Sequence, residues 1–132
     1  MEDLGELLGF GIIFFYGLTV LNFFFKFIMK HFKVQLSKYP KFFSVFKKLF
    51  KFFFKNHRWF GFATIILILI HFLIMFAEEG LSSTGLIAAG TMITQVLLGA
   101  YGHFFKPKNK IWLWIHRILT IIIAIAIIIH IE

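Results

Sequence analysis

The residues of this chain best suited to chemistry are histidines, six in all. Four of them are ordered. His57-Arg58 is followed by His71, and His116-Arg117 by His130, each second histidine fourteen residues after the first. Fourteen residues of α-helix rise about 21 Å and complete nearly four turns, so both imidazoles of a segment share one face. The residues between them are almost all apolar. An imidazole inside hydrocarbon marks function. Two such helices running in the same direction would pair His57 with His116 and His71 with His130, on two levels. A polar bridge between helices explains a lone histidine but explains four at matched spacing poorly. Each level offers two imidazoles without a supporting carboxylate, and the chain has no cysteine, which serves zinc badly. Iron in haem takes imidazole axially. Four histidines as metal ligands, His57, His71, His116 and His130, would therefore hold two haem b groups non-covalently. With both axial positions filled, the expected chemistry is electron transfer rather than oxygen binding.

The elements that must position these residues are membrane helices. The chain has 132 residues, 60% of them apolar and 21 of them phenylalanine. A soluble domain of this size cannot bury that much apolar surface. Four apolar stretches of spanning length nearly exhaust the chain, each needing about 20 residues. The spans are expected at about 8–30, 52–77, 84–105 and 110–131, after a short acidic lead-in over residues 1–8. The first stretch has no basic residue before it and no small-residue cleavage site, and so reads as a span rather than a removable signal. The expected fold is all-α, a four-helix transmembrane bundle forming a single domain over 1–132.

The net charge is +8. In a soluble protein that would point to nucleic acid, but the placement of charge matters more than its sum. All 14 Lys and Arg lie between Lys26 and Arg58 or between Lys106 and Arg117, whereas the six acidic residues are Glu2, Asp3, Glu6, Glu78, Glu79 and Glu132. Four spans put these groups on opposite sides. The positive-inside rule then places both basic connections in the cytoplasm and both termini outside a cell membrane. Membrane lipid is the expected surrounding, with no nucleic-acid partner.

Between spans one and two, Phe42, Phe43, Phe46, Leu49, Phe50, Phe53 and Phe54 recur at helical spacing, interleaved with Lys41, Lys47, Lys48, Lys51 and Lys55. This pattern predicts an amphipathic interfacial helix, or one bending straight into span two. Pro40 ends what precedes it or opens the new helix. Ser82-Ser83-Thr84 can cap the third span after a very short outer loop. Gly61 lies one turn after His57 and leaves room for a macrocycle. On span three, Gly85 and Gly99 repeat the fourteen-residue spacing, as haem clearance or as ordinary small-residue packing. Arg58 and Arg117 can meet haem propionates, or serve as cytoplasmic anchors. Thr91, Thr94 and Gln95 are polar at mid-depth and suit backbone bonds or a ligand brace. His31 and His103 fit interfacial positions, or a cytoplasmic quinone or proton pocket beside Tyr101.

In these residues the chain resembles the four-helix di-haem core of membrane b-type cytochromes, common to the cytochrome b subunit of quinol–cytochrome c oxidoreductases and the transmembrane domain of ferric reductases and NADPH oxidases. The second and fourth helices of that core each supply two histidines, thirteen or fourteen apart, to two stacked haems. The resemblance implies those roles for His57, His71, His116 and His130, and a third-helix glycine pair at Gly85 and Gly99. The first helix departs from the pattern, since Gly17 is followed fourteen residues later by His31. The likeness covers about residues 8–132 and includes no flavin or nicotinamide domain, so a partner protein or diffusible carrier is expected to deliver electrons.

The expected function is transmembrane electron transfer between a cytoplasmic or quinone donor and an outer acceptor. Whether the chain acts as a reductase or as a quinone or superoxide oxidoreductase stays open. A haem-bearing anchor subunit of a larger quinone-linked oxidoreductase is the second reading. A non-redox helical membrane protein, which would show no visible absorption, is the third.

Overall fold

The computed structural model describes residues 2–131; Met1 and Glu132 lie outside them. Among the described residues the fold is all-α: α1 is Glu2–His31, α2 Lys33–Ser37, α3 Pro40–Glu79, α4 Ser83–Phe104 and α5 Ile111–Ile131. α1, α3, α4 and α5 are long and apolar enough to cross a membrane. This is the architecture of a multi-pass membrane protein.

The acidic lead-in is itself helical. α1 starts at Glu2 and runs for 30 residues. Asp3 and Glu6 fall near its N-terminus, where negative charge complements the helix dipole. Pro40 opens α3, since its missing N–H costs nothing at a first helical position.

The expected interfacial helix is not a separate element. The Phe/Lys stretch and span two form one helix of 40 residues, about 60 Å long. After Pro40 the sequence holds no proline until Pro107 and no glycine until Gly61, so nothing local breaks it. Asn56 and Thr64 return their side chains to the carbonyls of Phe52 and Phe60, at 2.9 and 2.8 Å. The helix stops at Gly80, whose φ of +84° is costly for other residues. Ser82 then caps α4, its hydroxyl accepting the N–H of Gly85 at 3.3 Å. Asn109 does similar work before α5, its side-chain oxygen accepting the N–H of Ile111 at 2.9 Å.

The chain divides into two compact units. One comprises residues 9–67. Within it α1 runs antiparallel to α3: Phe15 meets Phe60 at 6.5 Å between ring centres, and Phe25 stacks on Phe53 at 5.2 Å and meets Phe46 at 5.0 Å. The other comprises residues 2–8 and 68–131. In it α4 and α5 pack along their length. Their contacts keep one antiparallel register, from Gly85 on His130 through Gln95 on Thr120 and Gly99 on His116 to Gly102 on Trp112.

Sevenfold spacing underlies that packing. Ile123, with 0% of its surface exposed, is seven residues from both His116 and His130. Met92, at 5%, is seven from both Gly85 and Gly99. On α3, Thr64 at 1% is seven from both His57 and His71. Three helices thus place their most buried side chain midway between the residues singled out in sequence. A seven-residue repeat is the period at which near-parallel helices keep one face in contact.

Candidate functional site

The six histidines separate into two sets. His57, His71, His116 and His130 are half-buried, whereas His31 and His103 are exposed. Four positions with matched spacing are thus the four that the fold turns partly inward.

His71 and His130 are brought together. Their ring centres lie 6.3 Å apart and the planes are nearly perpendicular, at 85°. Each ring is held from behind. The Nδ1 of His71 lies 2.9 Å from the carbonyl oxygen of Gly5. A carbonyl only accepts, so this nitrogen carries the proton and the lone pair of the neutral ring sits on Nε2. The Nδ1 of His130 lies 3.1 Å from the hydroxyl of Thr84. That hydroxyl is in turn 3.1 Å from the hydroxyl of Ser82. His130 of α5 is therefore tied to the first turn of α4.

His116 is tethered in the same manner. Its Nδ1 lies 3.2 Å from the backbone carbonyl of Gln95 and so donates to it. The Gln95 amide donates to Thr120 Oγ1 at 2.8 Å, and Thr120 donates to the carbonyl of His116 at 3.0 Å. Gln95 thus braces the histidine, while Thr91 and Thr94 bond only to carbonyls of their own helix. His57 lies on α3 in the unit of residues 9–67, with Gly61 one turn on; a Cβ added at Gly61 would meet nothing within 4 Å.

Gly85 and Gly99 face histidines, as their spacing suggests, and the imidazoles themselves fill the space. A Cβ at Gly85 would stand 3.0 Å from His130 Cε1, and one at Gly99 3.3 Å from His116 Cε1. Arg58 is exposed. Arg117 is half-buried, its guanidinium 5.4 Å from the ring centre of Trp114.

The donor set can be compared with the groups it might hold. Among the described residues, no three His, Cys, Asp or Glu gather in one place. Haem brings four equatorial nitrogens and asks the protein for two axial ones. Metal–imidazole bonds of about 2.0–2.1 Å, plus about 1.1 Å from nitrogen to ring centre on each side, put two axial rings about 6.3 Å apart. His71 and His130 stand at 6.3 Å, with Nδ1 of both already bonded. The separation of these two rings is compatible with one bis-imidazole haem. A separate apolar groove of about 330 Å³ lies elsewhere, between Leu21–Ile28 of α1 and Phe42–Leu49 of α3. No histidine lines it.

Three partners in this site carry no chemical signature in sequence. Gly5 and Gln95 act through backbone carbonyls, which any residue has. Thr84 sits in a run of capping residues that needs no histidine to explain it. Comparison with known proteins returns no matching family model, no matching curated protein and no matching solved structure.

Proposed function

We propose that this protein carries electrons across a membrane through two bis-histidine haems b. His71 and His130 would hold one, and His57 and His116 the other. The reading rests above all on the His71–His130 pair: two half-buried imidazoles at the separation a shared iron requires, both with Nδ1 bonded. Bound there, haem would supply one-electron chemistry. The protein's part is to orient the rings. The Gly5 and Gln95 carbonyls hold protons on the Nδ1 of His71 and His116. Gly85 and Gly99 let α5 approach α4 closely enough to seat its two imidazoles. Arg58 and Arg117, beside the inner pair in sequence, would meet propionates there, and Gly61 would leave room beside His57.

The orientation follows charge. The basic segments 26–58 and 106–117 face the cytoplasm and both termini face outward, by the positive-inside rule. The His57–His116 level is then the inner one. Electrons would then enter from a donor on the cytoplasmic side, or from a quinone, and leave to an acceptor on the outer side. A partner subunit could fill either role.

The test is haem per polypeptide by pyridine haemochrome assay, with reduced-minus-oxidised spectra of the purified protein. Two low-spin haems b per chain are expected. A colourless protein after expression with ample haem overturns the reading.

A further inference from the structure

We infer that Thr84 is a positioning residue that fixes the His130 imidazole as an iron ligand; the inference rests on the haem reading above. Two restraints converge on the His130 ring. Gly85 seats the ring, with His130 Cε1 3.0 Å from where a Cβ would stand. The Thr84 hydroxyl meets Nδ1 at 3.1 Å. The adjacent residues of one turn thus contact the flank and the rear nitrogen of the same ring.

The polarity of that contact is set by its neighbours. With Nε2 given to iron, Nδ1 carries the proton and donates to Thr84 Oγ1. Thr84 then sends its own proton to Ser82 Oγ, 3.1 Å away. Ser82 Oγ also accepts the N–H of Gly85 at 3.3 Å, which a hydroxyl's two lone pairs permit. The helix cap and the histidine tether are therefore one chain of hydrogen bonds. His71 and His116 reach the same state through backbone carbonyls, which no substitution removes. Thr84 is thus the side chain through which one site can be altered selectively.

A partner behind a metal-bound histidine orients the ring and raises its basicity, and its loss costs roughly 10- to 100-fold in affinity. Removing the Thr84 hydroxyl should therefore loosen the outer haem and make its axial ligand a poorer donor. A poorer donor favours ferrous iron, so the outer midpoint potential rises.

The experiment compares full-length wild type, Thr84→Val and Thr84→Ser, each purified after expression with ample haem. Haem per chain is followed through extended washing, and both midpoints are measured by redox titration. Thr84→Val keeps size and shape while deleting the hydroxyl. It should release one of two haems on washing, at least tenfold faster than wild type. The same haem, before release, should show a raised midpoint, while the other keeps its value. Thr84→Ser should restore both properties. The inference is overturned if Thr84→Val retains two haems with both midpoints unchanged, or if serine behaves as valine does. A wild type that binds no haem overturns the underlying reading instead. Loss of both haems from Thr84→Val together would show a general structural role and also overturn the inference.

Discussion

Gly85 and His130 are in register across α4 and α5, so closely that a Cβ on the glycine would lie 3.0 Å from the imidazole Cε1. One helical segment away, Gly99 and His116 repeat the arrangement at 3.3 Å. The glycines spaced by fourteen and the histidines spaced by fourteen are thus one matched set.

That contact predicts a graded response to alanine. Ala is favoured over Gly within a helix by roughly 0.5–1 kcal/mol, while overpacking costs typically about 1–3 kcal/mol. At Gly90 a Cβ meets nothing within 4 Å, so Gly90→Ala should raise Tm. At Gly99 the two effects should nearly cancel. At Gly85 the ring is tied to Thr84 and cannot retreat, so Gly85→Ala should lower Tm. Thermal unfolding in one detergent gives the order directly, and equal shifts at all three positions would contradict it.

Substituting the histidines should show pairing. His71→Ala and His130→Ala should each remove one haem and leave the other. The double variant should lose no more than either single one, because residues that act as a unit are not additive. Haem counts per chain decide this. Loss of both haems from the double variant, with one lost from each single variant, would place the two histidines at different irons.

The Gln95 amide predicts a difference in sign. Its nitrogen donates to Thr120, while its oxygen is buried without a hydrogen-bond partner among the described residues. Gln95→Leu removes a bond with a net value of about 0.5–1.5 kcal/mol but also removes an unsatisfied acceptor that costs about 1–3 kcal/mol. The backbone carbonyl facing His116 stays. Stability should be unchanged or slightly higher. Thr120→Val deletes the acceptor and strands the amide N–H, so it should lose about 1–3 kcal/mol. Denaturant unfolding of the two variants checks the contrast.

Orientation can be read with thiols, since the natural chain has no cysteine. Ser83→Cys should react with an impermeant maleimide added to intact cells. Asn109→Cys should react only after the membrane is opened. The reverse pattern would invert the assigned topology.

Much of this was readable from residue types. The four spanning helices follow from apolar runs, and their order from the glycines, prolines and caps between them. The inward-facing histidines were separable from His31 and His103 by spacing alone. The continuity of α3 was not, because an amphipathic stretch followed by an apolar one has the same local propensity whether the junction bends or runs straight. The tethers behind the rings were hidden for another reason. Gly5 reaches His71 through a carbonyl, with 66 residues between them, and only the folded chain brings that acceptor to the ring.

The common register of α4 and α5 also limits what the chain can tolerate over time. Both histidines of α5 are seated by the same alignment, on either side of Ile123 and Met92. A single residue inserted between His116 and His130 would leave one imidazole against its glycine and rotate the other about 100° away from the facing helix. Seven inserted residues would restore the angle but lengthen the separation by about 10 Å. Length change in this segment is therefore nearly closed to the protein, while substitution on its outer face stays open. The interval between the histidines acts as a ruler, and drift in sequence can proceed around it far more easily than along it.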